Sequence, residues 1–300
     1  MIKKKIIEIY NFFDKKKWNI GFFDYRDDFF FSDSKINIKI LKHNYKDKWF
    51  ADPFILHLSK DKVYLLVEEF DCKIKKGRIA KLIINRKSFE LESLEIILEK
   101  KSHLSFPAIF VDNENEIFVY PENSQSGSLT KYRYNKQTNK LEKPDVIIDQ
   151  PLVDAVFLNF NQKKYLFCTT KDNSNGSLLT VYIKHKKTYK LFDTIKLSEN
   201  IARGAGDFIH LNDRVIRPTQ DCNNSYGNGI VFQELVMKDK KFIFKNIKRI
   251  YSNVYRYKLG LHTFNYKKNL AVVDVLGYKY FLLGNMLNII RHIYIKLIGN

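Results

Sequence analysis

The sequence predicts an all-β fold, a five-bladed β-propeller, and three observations lead there. A short pattern, a polar or small residue followed by an apolar strand, returns five times: Asp52-Pro53-Phe54-Ile55-Leu56, Phe106-Pro107-Ala108-Ile109-Phe110, Asp154-Ala155-Val156-Phe157-Leu158, Ala205-Gly206-Asp207-Phe208-Ile209 and Leu261-His262-Thr263-Phe264-Asn265. The starts are 54, 48, 51 and 56 residues apart. After a polar turn each copy is followed by a second β-rich run: Val63 to Glu69, Ile117 to Glu122, Tyr165 to Thr170, Val215 to Asp221 and Leu270 to Val275. Two further strand-like segments complete a unit, Arg78 to Ile84 and Leu94 to Leu98 in the first. Four antiparallel strands in about 50 residues make a propeller blade.

Element by element, the chain of 300 residues, 45% apolar, is long enough to bury such a core. Its first residues read as a short amphipathic helix: Glu8 interrupts the apolar stretch, and no small-residue cleavage site precedes Lys15-Lys16-Lys17, so a signal peptide is not expected. The fifth unit runs short after Val275, and Trp18 to Tyr25 with Ile36 to Leu41 are available to complete it, closing the ring. The expected organisation is one propeller over residues 1–280 and an amphipathic helix over 281–300, where polar side chains at 285, 288, 292 and 296 recur at helical spacing. That helix either lies in a membrane interface or packs on the propeller flank. A β-sandwich with chance-aligned repeats is the alternative fold. Cys72, Cys168 and Cys222 are odd in number and widely spaced, implying neither disulfides nor a zinc site. No run of about 18 apolar residues suggests a membrane span. The expected location is cytoplasmic, including the inner face of the membrane.

The formal charge of +19 points to polyanions, but 42 of the 52 basic residues are Lys. Scattered Lys mainly solubilises a surface. Nucleic acid is not the expected partner, because the aromatic residues recur at core strand periodicity and not as an exposed stacking platform. Residues just before the innermost strands of a propeller converge on one funnel. Asp52, Asp154, the Arg203 to Gly206 segment and His262 hold such positions, and Glu68-Glu69, Glu122, Arg217, Gln220-Asp221 and Asp274 end the second strands. Asp52, Glu122 and Asp154 are the candidate catalytic carboxylates. Glu69, Arg203, Arg217, Gln220, Asp221 and His262 are the candidate substrate-binding residues. Arg203 and Arg217 stand out because Arg is scarce here, and a planar guanidinium suits phosphate or carboxylate recognition. A structural ion pair with Asp207 or Asp221 is the competing role, as is a satisfied buried histidine for His262.

The ordered series Trp49-Phe50-Ala51-Asp52-Pro53-Phe54, Lys76-Gly77-Arg78-Ile79, Phe106-Pro107 with Tyr120-Pro121-Glu122, Ala202-Arg203-Gly204-Ala205-Gly206, Arg217-Pro218-Thr219-Gln220-Asp221 with Tyr226-Gly227, and His262-Thr263-Phe264 resembles the propeller region found N-terminal in plant glucosamine inositolphosphorylceramide transferases. The same region is more distantly similar to five-bladed glycosidases of the arabinanase and fructosidase type. That second likeness matches Asp52 and Asp154 to catalytic carboxylates, but Arg203-Gly204-Ala205-Gly206 stands where the acid Glu would be. The resemblances imply a carbohydrate-active protein, and Arg203 with Arg217, which a neutral glycan would leave without a task, favour an enzyme without metal or cofactor, a glycosyltransferase of surface-glycan or glycolipid assembly that uses a phosphate-activated sugar. Here Asp52 or Glu122 would be the base and Arg203 with Arg217 the phosphate clamp. A glycoside hydrolase and a non-catalytic glycan-binding propeller are the alternatives. The expected partners are a sugar or sugar phosphate and an anionic membrane surface.

Overall fold

The computed structural model describes residues 15–32, 36–112, 114–186, 188–284 and 286–288. Strands β1 (Lys16–Asp24) and β2 (Lys39–Ile40) come first and belong to the last sheet. Blade one is β3 (Lys48–Leu58), β4 (Lys62–Asp71), β5 (Lys76–Asn85) and β6 (Leu91–Leu98). Blade two is β7 (Ser105–Val111), β8 (Ile117–Glu122), β9 (Leu129–Asn135) and β10 (Lys140–Ile148). Blade three is β11 (Leu152–Phe160), β12 (Lys163–Thr170), β13 (Leu178–His185) and β14 (Thr188–Lys196). Blade four is β15 (Ile209–Leu211), β16 (Arg214–Asp221), β17 (Gly229–Lys238) and β18 (Lys241–Ile250). Blade five takes β19 (Phe264–Lys267) and β20 (Leu270–Tyr278), then β1 and β2, in the order β19-β20-β1-β2. All neighbouring strands are antiparallel, and β1 pairs with β20 from Lys16 opposite Tyr278 to Asp24 opposite Leu270.

Burial falls from the axis outward, and the residue types follow it. On β20 Ala271, Val272, Val273 and Val275 have no exposed surface, so both faces of the strand are covered. Outermost β14 has no buried residue and reads TYKLFDTIK. Much of the excess Lys therefore sits on outer strands and turns, where water solvates it. Between blades the packing is aromatic: Phe54 meets Phe106 at 5.0 Å, Tyr120 meets Phe157 at 4.2 Å, Phe167 meets Phe242 at 5.1 Å, and Phe232 meets Phe264 at 5.0 Å. Each such pair contributes roughly 0.5–1.5 kcal/mol beyond area burial. A 3-10 turn over Asp27–Phe30 sets Phe29 flat on Phe264 and Phe30 edge-on to Phe232, sealing blade four against blade five.

The predicted N-terminal helix lies outside the described residues. Of the predicted C-terminal helix, residues 281–284 and 286–288 are helical, and the rest lies outside the described residues. No helix among the described residues is long and apolar enough to cross a membrane.

Candidate active site

In blades one to three the innermost strand bulges at the same place. Pairing slips between Ala51 and Phe54, between Ser105 and Ala108, and between Val153 and Val156. The bulged residues Asp52, Phe106 and Asp154 have φ of 50°, 41° and 45°. A side chain in this left-handed region costs roughly 1–2 kcal/mol, so three equivalent bulges store strain around the axis. The bulge turns Asp52 and Asp154 into the funnel and aims the Phe106 N–H at Asp52 Oδ2, 3.1 Å away.

Blade five closes around Asp52. Thr263 Oγ1 donates to Asp52 Oδ1 at 2.8 Å, and the Asp52 N–H donates to Asp274 Oδ2 at 2.9 Å. Asp274 Oδ1 accepts the N–H groups of His262 and Thr263, and its Oδ2 lies 2.7 Å from His262 Nδ1. The other imidazole nitrogen, Nε2, is 3.8 Å from Asp52 Oδ1, and the ring stacks on Trp18 with centroids 3.9 Å apart. Burial works against protonating His262, but Asp274 and then Asp52 outweigh it and hold the imidazole above its ordinary pKa. Asp52 is pushed up to about 7 by burial, which the charge of His262 opposes and those of Glu68, Asp274 and Asp154 reinforce. Asp52, His262 and Asp274 each bring a donor atom within 4.8 Å of the others, as a metal centre would require. Yet the Thr263 hydroxyl, four backbone N–H groups and the His262–Asp274 contact already engage these carboxylates. The cluster is closed by protein donors, which fits a hydrogen-bonded relay better than a cation cage.

Across the funnel, Arg203 Nε donates to Asp154 Oδ2 at 2.5 Å and its Nη1 to Asn175 at 3.0 Å. Glu122 Oε2 is 3.7 Å from Arg203 Nη2, and this buried oxygen has no hydrogen-bond partner. Burial, then the adjacent Asp154, raises the Glu122 carboxyl well above its ordinary pKa. Glu122 therefore sits beside the Arg203–Asp154 ion pair, with Ser124 Oγ donating to its other oxygen at 2.9 Å. Gln220 Nε2 donates to Asp154 Oδ2 and to Gly204 O, both at 2.9 Å. Tyr226 lies over the Arg203 guanidinium at 4.8 Å and, 41% exposed, forms the outer lip. Beneath it the Arg203 and Glu122 side chains keep only 14% and 12% of their surface. A ligand therefore meets Tyr226, Arg203 and Glu122 first.

Asp52, Glu122, Asp154, Arg203, Gln220 and His262 thus come together in the structure. Three other candidates do not. Glu69 is wholly buried and ion-paired to Lys48 at 2.8 Å and Arg78 at 2.9 Å. Its neighbour Glu68 is the one turned inward, 3.2 Å from His103, because adjacent strand residues face opposite ways. Asp221 is tied to Arg249 at 2.9 Å and to Tyr251 at 3.0 Å. Arg217 has no exposed surface and bonds Gln233 Oε1 and Ala202 O between blades, its ring-facing side on Phe244. Burial lowers its pKa to about 9. Arg217 is therefore a core residue, which corrects the expectation that it stands beside Arg203 in the funnel. A buried cation without a carboxylate adds little stability, so Arg217→Met is expected to change unfolding free energy by under about 2 kcal/mol. Denaturant melts and sugar titration of that variant check this, with ligand binding expected to match the parent.

Trp18, Glu68, His103, Tyr226, Thr263 and Asp274 also gather here, none of them among the candidate catalytic or substrate-binding residues. Glu68 and Asp274 were visible as carboxylates ending second strands, and Tyr226-Gly227 as a motif. Trp18 was placed on the strand that closes the ring, but the sequence did not show that its ring would stack on His262.

Comparisons with known proteins agree with this architecture. The profile of the family described as glucosamine inositolphosphorylceramide transferase 1, N-terminal, matches residues 37–272. Glucosamine inositolphosphorylceramide transferase 1 of Oryza sativa subsp. indica is 27% identical over 198 residues, 62% of this chain and 26% of that protein. The protein of that name in Arabidopsis thaliana is 30% identical over 205 residues, 64% of this chain and 26% of that protein. The chain thus spans about a quarter of the length of these curated relatives. Among solved structures, a thermostable family-43 glycoside hydrolase aligns with TM-score 0.54 at 13% identity, over 71% of this chain and 83% of that one. An exo-beta-1,3-galactanase from Phanerochaete chrysosporium aligns with TM-score 0.55 at 6% identity, over 70% of this chain and 53% of that one. At such identities the likeness concerns the fold alone.

Proposed function

The chain belongs to the family of glucosamine inositolphosphorylceramide transferase 1 N-terminal regions, and from that premise we propose that its funnel transfers a glycosyl group from a phosphate-activated sugar to a hydroxyl acceptor in glycolipid or surface-glycan assembly. What carries the reading is one cluster that combines a carboxyl raised well above its ordinary pKa, Glu122, a carboxylate poised near neutrality, Asp52, and one guanidinium, Arg203. The relatives are named as transferases involving glucosamine and inositolphosphorylceramide, and we carry over only the chemical class.

In this mechanism Asp52 accepts the proton of the acceptor hydroxyl as its oxygen bonds the anomeric carbon. The bond from that carbon to the phosphate oxygen breaks, and Glu122 hands its proton to the departing oxygen. Arg203, held by Asp154, faces the negative charge that grows there. His262, oriented by Asp274, stabilises Asp52 as the anion before the proton arrives.

The active form has Asp52 deprotonated and Glu122 protonated. Asp52, raised to about 7, is protonated below that value, so activity is expected to rise with pH through about 7. It should fall again where Glu122 loses its proton. Asp52→Asn is expected to lower turnover by about 10²–10⁴-fold and to remove the rising limb. Steady-state rates across pH check both.

Hydrolysis is a second reading, favoured by the same acid and base, since two carboxyl groups suffice to cleave a glycoside. The deciding experiment incubates purified protein with nucleotide and lipid-phosphate sugars plus hydroxyl acceptors, and separately with a glycan panel. Donor-dependent product supports transfer. Reducing sugar released without any donor would replace it with hydrolysis, and glycan binding without turnover would leave a binding module.

A further inference from the structure

The outer corner of blade five gathers positive charge. Lys17 lies opposite Gly277 in the β1–β20 ladder, and a Cβ at Gly277 would sit 2.2 Å from the carbonyl oxygen of Arg256. Two residues on, the Lys279 N–H bonds the Lys15 carbonyl at 2.8 Å. Lys17, Arg256 and Lys279 thus share one corner, and among the described residues no carboxylate pairs with any of them. Asp47 and Asp71, which act with Lys279 on the nearby Cys72 thiol, are held by Lys73 at 3.0 Å and Arg78 at 3.2 Å. Burial, then the charges of Lys279 and Arg256, lowers the Lys17 pKa.

The same corner exposes apolar surface. Leu282 is 77% exposed, Tyr255 71% and Met286 51%, with Leu282 and Met286 one helical turn apart. Tyr255 packs on Phe281 at 4.8 Å, and Arg256 lies 5.9 Å over the Phe281 ring. Lys258 reaches over Tyr255 at 5.7 Å. Apolar tips inside a basic rim match the two layers of an anionic leaflet, phosphates outside and acyl chains within. A second copy of this chain fits poorly, because it would set two such basic rims face to face. The corner also adjoins the funnel, since Trp18, next to Lys17, stacks on His262.

We propose that this corner of blade five docks on an anionic lipid bilayer, with Leu282, Met286 and Tyr255 entering the headgroup region and Lys17, Arg256 and Lys279 contacting lipid phosphates. The funnel is thereby held beside the membrane surface. This stands apart from the transfer reading, since docking requires no turnover.

Flotation of the full chain with vesicles tests it, using phosphatidylcholine alone and phosphatidylcholine with phosphatidylglycerol. Binding is expected on the anionic vesicles only and should weaken as salt is raised. Near an anionic surface each basic residue is worth about fivefold in partitioning, so the double variant R256Q/K279Q is expected to lose roughly 25-fold. L282E/M286E should lose at least about tenfold, at exposed positions that leave thermal melting unchanged. R203A, whose side chain lies in the funnel, should float like the parent, which keeps a failed transfer reading distinct from failed docking. Equal binding to neutral vesicles, flotation untouched by both double variants, or self-association abolished by L282E/M286E would overturn the proposal.

Discussion

Replacing Arg203 by alanine is expected to abolish turnover and to lower stability by about 3 kcal/mol at pH 8, because it removes the cation from a buried pair and strands its partner. Asp154 is 2% exposed, and Gln220 remains as a side-chain donor to it once the guanidinium is gone. Glu122 loses the same positive charge. Glu122, whose proton affinity the Arg203 charge now holds down, would in the variant bind its proton more tightly still in the folded state. The folded state therefore gains protons as pH falls, and the deficit should shrink toward pH 5. Denaturant titrations at pH 5 and pH 8 check the sign, and a deficit that grows on acidification would show that Arg203 and Asp154 do not form the pair described. Arg203→Lys should restore part of the stability but little of the rate, since an ammonium cannot serve Asp154 and a leaving phosphate in the same planar fork.

Gly206→Ala should be the most damaging single methyl in the chain. Gly206 has φ of 140°, a region open almost only to glycine, and a Cβ there would lie 2.0 Å from the Phe264 carbonyl oxygen. Phe264 begins β19, and its N–H bonds the Ala205 carbonyl, so this contact joins blade four to blade five. Neither side can yield without separating them. A loss of about 4 kcal/mol or more is expected, enough to leave much of the protein unfolded at 37 °C. Gly127→Ala is the control: φ is 84° and nothing lies within 4 Å of the added carbon. It should cost only the left-handed backbone, about 1 kcal/mol. Comparable melting shifts in the two variants would mean that the close approach at Gly206 carries no weight.

The blades were legible because each repeats the same axial entry, and a Pro or small residue beside Asp52, Phe106 and Asp154 marks it. Strand positions followed from apolar runs bounded by polar turns, as at Ile117–Glu122. What one sequence could not show was which face a side chain takes. Glu68 and Glu69 are adjacent and chemically alike, yet one enters the funnel and the other locks blade one to Lys48 and Arg78. Arg217 and Gln220 differ in parity by three positions, so one sits between blades and the other on Asp154. Bulges compound this, because each adds a residue to one strand and inverts the parity beyond it. Scarcity of Arg correctly drew the eye to Arg203 but said nothing of depth, and depth is what separates it from Arg217.

The pairing of β1 with β20 also governs when the site can exist. A ribosome delivers β1 first and its partner only after four other sheets have emerged, so the strand waits as an open edge. Lys15, Lys16 and Lys17 at its start act as gatekeepers, discouraging cross-association of nascent chains. Trp18 reaches His262 only at the final docking. With Trp49 the only other indole in the chain, a W49F variant would turn emission from Trp18, quenched by the stacked imidazole, into a stopwatch for ring closure and for the birth of the funnel.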